Sequence, residues 1–166
     1  MRDLNWLRLL LVLITLAACA APRQREAAPT SAAGSTRVTD LGTLRWIEGR
    51  WRGTLPDGGF FFEGYRFAND STILTYTYPD STSLTPSDSG AIMLRGGVVA
   101  TGSGGSRWIA TALREGFVRF DPREGARNNF VWERLSDDAW RAILLWPATA
   151  DRPAREVVYP MRRLRR

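Results

Sequence analysis

The sequence predicts an all-β fold, an antiparallel barrel or sandwich of about eight to ten short strands preceded by one short helix. Clusters of Gly, Pro, Asn, Asp and Ser interrupt residues 50–166 at short intervals, as hairpin turns do. The segments between them are rich in aromatic and β-branched residues, and none is a long helical repeat. Seven tryptophans and a hydrophobic content of 44% indicate a packed core, so the domain is expected to be folded rather than disordered.

The first 18 residues are predicted to be a signal peptide. Arg2 and Arg8 flank the start of an apolar run at residues 9–16, and two small residues, Ala17 and Ala18, follow. This run is too short to span a bilayer, and its basic flank is typical of an export signal.

The four residues Leu16-Ala17-Ala18-Cys19 resemble the lipobox of bacterial lipoproteins. The resemblance implies cleavage before Cys19, attachment of lipid to Cys19, and anchoring in the cell envelope. Ala20, in place of an aspartate, implies sorting to an outer membrane, facing the periplasm. An ordinary signal peptide with an incidental cysteine, or an uncleaved tether, remains the alternative. Cys19 has no second cysteine in the chain with which to form a disulfide.

Residues 19–39 are predicted to form a lipidated cysteine and a solvated linker, because they are rich in Ala, Pro, Ser and Thr without an apolar period. The folded domain is expected at residues 40–166. It begins with a short helix, capped by Thr39 or Asp40, whose apolar positions Leu41, Leu44 and Ile47 fall at helical spacing.

Ten strands are predicted after Gly49 ends this helix. Their ranges are 50–55, 60–67, 72–78, 91–94, 98–102, 107–112, 117–120, 129–134, 140–146 and 156–161. Alternation assigns residues to common faces, with Glu63 beside Phe61, Tyr65 and Phe67, but it does not show which face is inside. Several strands are apolar on both faces, which suits a barrel whose exterior is partly covered by the helix, the C-terminal tail or a partner.

Gly49-Arg50-Trp51 resembles the Gly-x-Trp opening of lipocalins and other calycins. The longer stretch Leu44–Trp51 is similar to the Leu-x-Trp-Leu-x-Gly-x-Trp opening of an exported bacterial lipocalin-like family of unknown function. The likeness extends loosely over residues 41–164, including Phe120-Asp121-Pro122, Phe130-Val131-Trp132 and Tyr159. It implies an up-and-down barrel of about eight to ten strands whose tryptophan closes one end.

Two features of these related families are missing from the chain. Members of the exported family often carry a His-Asp pair in the loop before the Phe130 strand, where this chain has Glu124-Gly125. The haem-binding nitrobindin-like barrels use a proximal histidine that has no counterpart here. Neither the chemistry of the first nor the haem of the second is therefore expected.

The charge pattern excludes several function classes. All 23 basic residues are arginine, and the formal net charge is +6 without any histidine. Histidine-dependent catalysis and histidine ligation of zinc or haem are excluded. Arg162, Arg163, Arg165 and Arg166 concentrate the excess charge at the C-terminus, as a tail that either contacts anionic headgroups or aids solubility. The remainder is nearly balanced, so no nucleic-acid partner is expected.

Six aromatic residues are candidates for closing the barrel or lining a ligand site. They are Trp46, Trp51, Phe62, Tyr65, Trp132 and Trp140. A structural plug is the favoured role for Trp46 and Trp51. Arg119, Arg134 and Arg141 are candidates to stack on Trp132 or Trp140 as cation–π partners.

Charged residues offer weaker candidates. Glu63 and Glu133 would form an acid pair with raised pKa values if both faced the interior, although outward-facing ion pairs with arginine are the favoured interpretation. The charged residues Asp121, Arg123, Glu124 and Arg127 are interpreted as a solvated turn. The glycine-rich stretch 102–105 is interpreted as a hairpin rather than a phosphate-binding loop, because no helix or lysine follows it.

Three functional interpretations remain open. The first is a lipid-anchored envelope protein that binds a small hydrophobic ligand in a lipocalin-like barrel. The second is a structural or protein-interaction module whose barrel is filled by its own aromatic side chains. The third, an enzyme based on carboxylates and arginines, is the least favoured, because the sequence contains no recognisable catalytic motif. No metal or cofactor is expected, and the oligomeric state is not predicted.

Overall fold

The computed structural model of the protein describes residues 40–165. The predicted signal peptide, Cys19, the linker and Arg166 lie outside these residues. Within them, no helix is long and apolar enough to cross a membrane.

The described residues form a closed antiparallel up-and-down barrel, which confirms the predicted fold class. Each strand pairs with its neighbours in sequence, and pairing of the first strand with the last closes the barrel. The strands are β1 Gly49–Thr54, β2 Phe60–Asn69, β3 Thr72–Tyr78, β4 Asp88–Arg95, β5 Val98–Ser103, β6 Ser106–Arg114, β7 Phe117–Arg123, β8 Asn129–Ser136, β9 Ala139–Trp146 and β10 Arg155–Arg163. All ten correspond to predicted strands.

The largest differences in strand bounds are three residues, at the end of β7, which reaches Arg123, and at the start of β4. This strand begins at Asp88, whereas the sequence predicts a start at Ala91, because Asp88-Ser89-Gly90 has the composition of a turn. These residues instead pair with Thr75–Thr77 of β3. The backbone partner on β3 thus overrides the weak strand preference of the three residues.

The helix before β1 is a 3-10 helix, Gly42–Ile47. Asp40 accepts a hydrogen bond from the Gly42 N–H at 2.7 Å, although the formal cap position is Leu41. Leu41, Leu44 and Ile47 are fully buried, as their spacing indicates. The helix therefore contributes its apolar face to the core rather than standing apart as a linker.

The two ends of the barrel differ in their connections. At one end, which we call the closed end, the four hairpin turns have two residues each, and the 3-10 helix joins β1 there. At the other, the open end, loops of five to nine residues join the strands, except between β5 and β6. There Gly104 and Gly105 have φ values of 55° and 80°, which a two-residue hairpin turn of type I′ requires, so the hairpin interpretation is confirmed.

Burial identifies the inner face of each strand. Trp51, Ile73 and Trp140 are at most 1% exposed, and their cross-strand partners share their face. Glu63 pairs with Trp51, so the inner face of β2 carries Phe61, Glu63, Tyr65 and Phe67. The buried core is apolar and continues from the helix through the closed half of the barrel.

Arginine side chains cover part of the outer surface near β1. The Arg50 guanidinium lies 4.2 Å from the ring centre of Tyr78, and that of Arg52 lies 4.5 Å from the ring centre of Phe60. Guanidinium groups stack favourably on aromatic faces, and here the Arg50 Nε and Nη2 atoms are buried with no hydrogen-bond partner among the described residues. Aromatic residues on both faces of β2 are therefore compatible with one barrel.

The C-terminal arginines do not form the separate basic tail that the sequence predicts. Arg162 and Arg163 belong to β10, and the Leu164 N–H donates to the Arg50 carbonyl at 2.8 Å. The Arg165 guanidinium pairs with Asp138 at 2.6 Å. Backbone pairing with β1 holds this segment in the barrel, so most of its charge is part of the fold.

Candidate ligand-binding site

The closed end is sealed by Trp51 and Arg163. The Trp51 indole N–H donates to the Ile47 carbonyl at 2.6 Å, which fixes the ring beneath the helix. The Arg163 guanidinium lies 4.1 Å from the centre of the Trp51 ring and donates to the carbonyls of Glu48 (2.6 Å) and Trp46 (3.0 Å). Stacking and charge-assisted hydrogen bonds together join the last strand to the helix.

Gly49 is required at this position for two reasons. Its φ is 122°, a conformation that side chains disfavour, and a Cβ there would lie 2.6 Å from Arg163 Nη1. The spacing of the Gly49-Arg50-Trp51 motif therefore reflects the space that the guanidinium occupies between the helix and the ring.

Trp140 is the centre of an aromatic cluster above this seal. Its ring makes edge-to-face contacts, with ring centres 5.5–6.0 Å apart. The partners are Trp46, Trp51, Tyr65 and Trp132. The indole N–H groups of Trp46 and Trp140 have no hydrogen-bond partner among residues 40–165, so packing holds these two rings.

Five of the six predicted site residues thus meet in one cluster, and Phe62 does not. Phe62 lies on the outer face of β2, paired with Arg52 and Tyr78. Phe61 takes the inner position and packs edge-to-face on Tyr159 at 5.7 Å. A Cβ at Gly53 would lie 2.1 Å from the Phe61 ring, so the glycine opposite Phe61 was the available sequence signal for its direction.

The cation–π prediction named the wrong arginines. Arg119 bonds to Asp121 at 2.8 Å, Arg134 to Glu115 and Asp137, and Arg141 to Glu133 at 2.6 Å. None of the three stacks on Trp132 or Trp140. Nearby carboxylates attract these arginines, on the outer face for Arg119 and Arg141 and in closed-end turns for Arg134, whereas Arg163 is the arginine that stacks on Trp51.

A cavity of about 470 Å³ occupies the open half of the barrel. Its floor is formed by the upper surface of the aromatic cluster, at Tyr65 and Trp132, together with Ile92. The remaining lining residues are Glu63, Thr75, Tyr76, Thr77, Asp88, Ser89, Gly90, Thr101, Gly102, Ser103, Gly104, Trp108 and Phe130.

The cavity has one polar wall and one aromatic wall. Strands β2 to β5 provide carboxylates and hydroxyls, of which Glu63, Thr77 and Asp88 form one cross-strand row. Strands β6 and β8 provide Trp108 and Phe130 on the other side. The cavity therefore offers an apolar surface on one side and, on the other, a small set of polar groups that would orient a ligand.

The aromatic wall is held in place by contacts outside the cavity. The Trp108 indole N–H donates to the Asn128 carbonyl at 2.8 Å. Phe130 stacks on Phe120 with ring centres 4.6 Å apart, and Phe120 is fully buried. These rings are therefore positioned before any ligand enters.

Glu63 is the more buried of the two carboxyl groups in the cavity wall. Its Oε2 accepts a hydrogen bond from the Tyr65 hydroxyl at 2.6 Å. Burial raises the pKa of Glu63, and the hydrogen bond from Tyr65 only partly opposes this. The pKa of Tyr65 is also raised, by its burial and by the adjacent carboxylate.

Glu63 and Glu133 do not form the acid pair, which was the less favoured interpretation; the favoured outward-facing ion pair with arginine is found for Glu133 but not for Glu63. Glu133 lies on the outer face of β8, where it is in register with Arg141 on β9. Asp121 is also on an outer face, where burial works to raise its pKa but hydrogen bonds from Thr111, Asn129 and Arg119 lower it overall. Neither acid faces Glu63 across the cavity.

Two other features are less suited to a ligand site. A groove of about 640 Å³ runs along the outer faces of β4 to β6, beside Met93, Arg95 and Arg107, and is open to solvent. Arg123, Glu124 and Arg127 are exposed, as expected for a solvated turn. Within residues 40–165, no three acidic or cysteine side chains come close enough together to hold a metal ion.

The sequence did not identify most of the cavity residues. Thr75, Thr77 and Thr101 lie in segments predicted as ordinary barrel strands, and Asp88 lies outside the range predicted for β4. Their signal was the inner face of β3, which changes from Ile73 to Thr75 and Thr77 toward the open end. A polar inner face in a barrel strand indicates a lined cavity rather than packed core.

Comparisons with known proteins add little. No family model matches the chain, and no curated protein matches it. Among solved structures, it is similar to EF1p2_mFAP2b bound to DFHBI, with 10% sequence identity and a TM-score of 0.38 over 79% of this chain and 100% of that chain. A likeness of this size carries no argument about the function of the present protein.

We predict that the contact of Arg163 with Trp51 at the closed end stabilises the folded protein. Replacing Arg163 by methionine removes the cation over Trp51 and leaves two carbonyls without their donors, so the free energy of unfolding is expected to fall by about 2–4 kcal/mol. Arg162→Met, one residue earlier on the outer face, is the matched control and is expected to change it by less than about 0.5 kcal/mol. Urea unfolding of both variants measures the difference, and equal losses would contradict the role of Arg163.

We predict that the Glu63 carboxyl makes the free energy of unfolding depend on pH. Since the pKa of Glu63 is raised in the folded state, the folded protein retains a proton that the unfolded chain releases. This group's contribution to stability is therefore present below pH 4.5 and is lost as pH rises through its folded-state pKa, with a slope of at most about 1.4 kcal/mol per pH unit. Glu63→Gln is expected to remove this slope, as measured by urea unfolding between pH 4 and 8. Unchanged pH dependence in the variant would contradict the assignment.

Proposed function

We propose that this protein binds a small, largely apolar ligand in the open half of its barrel. The observation that carries this proposal is the uneven filling of the interior: aromatic side chains pack the closed half, and a cavity of about 470 Å³ remains above them. A volume of this size is within the range of about 300–1,000 Å³ that is typical of small-molecule sites.

Only the closed half of the barrel supports the alternative of a filled interior without a ligand. Trp51 and Trp140 are at most 1% exposed and act as a plug rather than as a binding surface. Trp108 and Phe130 pack against this core on one side but line open space on the other. The ligand-binding interpretation therefore accounts for both halves of the interior.

The enzyme interpretation has less support. It depended on Glu63 facing Glu133 or Asp121, and both of those acids lie on outer faces. The remaining acid of the cavity, Asp88, is separated from Glu63 by a full strand, β3. Since neighbouring strands are about 4.8 Å apart, the backbones of the two acids are about 10 Å apart, which suits ligand contacts better than a shared proton.

We further propose that the protein is a lipid-anchored, lipocalin-like barrel of the cell envelope. Two features support this: the lipobox-like Leu16–Cys19 segment, and the helix and Gly49-Arg50-Trp51 opening that closes the barrel. The linker at residues 20–39 would allow the domain to stand clear of an outer-membrane surface and face the periplasm. Apart from the C-terminal arginines, the chain carries nearly equal numbers of basic and acidic residues, so we propose no nucleic-acid partner.

If the protein binds a ligand, we expect protein purified from the cell envelope to carry a bound molecule. Native mass spectrometry of the full chain in mild detergent is expected to show an adduct of about 150–500 Da, since the cavity admits a molecule of that size. Thr77→Phe, on the inner face, is expected to reduce the adduct at least tenfold. Leu74→Phe, on the outer face of the same strand, is the control and should leave it unchanged. An absent adduct, or equal occupancy in both variants, would contradict the proposal.

The lipid anchor makes a separate prediction. Cys19→Ala is expected to abolish incorporation of labelled fatty acid, because no other residue offers a thiol for acylation. Ser31→Ala in the linker is the matched control. If lipid labelling and membrane association persist in Cys19→Ala, the anchor proposal fails, while the ligand proposal stands.

A further inference from the structure

The cavity differs in charge from the rest of the protein. The chain carries 23 arginines and a formal net charge of +6, yet the cavity lining includes Glu63 and Asp88 and not one arginine. Among residues 40–165, no arginine lies within ion-pair distance of either acid, although acids elsewhere have such partners. The inward-facing carboxylates have therefore been left without a protein cation.

Glu63 retains one oxygen for a ligand. Oε2 accepts the hydrogen bond from Tyr65, whereas Oε1 has no hydrogen-bond partner among the described residues. A buried carboxylate without a counter-charge is unfavourable, because desolvation penalises its charged form. A ligand that supplies a cation would offset this cost.

The opposite wall is suited to the same type of ligand. Trp108, Phe130 and Trp132 line the cavity across from the acids, and aromatic faces attract cations as well as apolar groups. Thr77 lies between Glu63 and Asp88 in the same cross-strand row and offers a hydroxyl acceptor. An ammonium group, with up to three N–H donors, matches this set of acceptors.

We propose that the cavity binds a small organic amine, in which a protonated primary amino group donates to Glu63 and an apolar body packs against Trp108, Phe130 and Trp132. This inference rests on the proposed ligand-binding function and specifies its substrate class. Asp88, exposed at the mouth, attracts the cation during entry.

The raised pKa of Glu63 gives binding a pH dependence with a definite sign. An ammonium group beside Glu63 favours its charged form, so binding displaces the proton that burial retains. Affinity for the amine is expected to increase with pH through the free-protein pKa of Glu63 and then to level off. The other titratable groups that face the cavity are Asp88 on β4 and Tyr65 on β2; the Tyr76 side chain on β3 lies on the outer face, and Arg163 on β10 lies beyond Trp51.

Three water-soluble probes of similar shape test the proposal: 2-phenylethylamine, 2-phenylethanol and phenylacetate. Binding to the full-length protein in mild detergent is followed by isothermal titration calorimetry and by the NMR signal of the Trp108 indole. The amine is expected to bind at least tenfold more tightly than the alcohol, and the acid most weakly. Glu63→Gln is expected to abolish the preference and its pH dependence, whereas Glu133→Gln, on the outer face, should retain both.

The outcomes separate this inference from the proposed function. If the alcohol binds as tightly as the amine and shifts the Trp108 signal, the cavity binds ligands but the amine assignment is overturned. If the amine preference survives Glu63→Gln, the assignment to Glu63 is likewise overturned. If no probe shifts Trp108 and purified protein carries no adduct, the proposed function fails as well. Far-UV circular dichroism confirms that each variant is folded.

Discussion

The contact between Arg163 and Trp51 is the interaction on which the rest of the barrel depends. It joins the first and last segments of the domain's sequence. Arg163 donates to the carbonyls of Trp46 and Glu48, which are 117 and 115 residues earlier in the chain. These bonds add to the β1–β10 pairing that closes the barrel, in which Trp51 and Arg163 are direct partners. Because a barrel has no free edge only when its first and last strands meet, the stability of this contact affects every other strand.

Sealing one end determines what the other end can do. The aromatic cluster around Trp140 fills the closed half, so the remaining interior volume lies at the open end, where the loops are longer. The inner face also changes in character along the barrel axis, from Ile73 and Ile92 below to Thr75, Thr77 and Asp88 above. A rigid aromatic floor and a polar upper wall are the physical basis for proposing ligand binding in this half.

The sequence predicted the strands well and the site poorly, for different physical reasons. Turn residues such as Gly96-Gly97 have strict backbone requirements that are local, so they are visible in the sequence. The direction of Phe62, by contrast, depends on which face of β2 meets Trp51, and alternation gives no sign of that. The cavity neighbours of Glu63 and the partners of Arg163 are set by cross-strand register and closure, which bring together residues far apart in the chain. A C-terminal arginine cluster therefore looked like a tail although Arg163 is part of the seal.

The central claim, that the closed half is sealed and the open half is accessible, is tested most directly by NMR of the tryptophan indoles in the presence of a small, soluble paramagnetic probe. The account predicts strong broadening of Trp108, which lines the cavity, and sharp signals from Trp51 and Trp140. Signals can be assigned with single Trp→Phe variants. Equal broadening of Trp51 and Trp108 would show that the closed end is not sealed. Protection of Trp108 equal to that of Trp140 would show that the open half is filled.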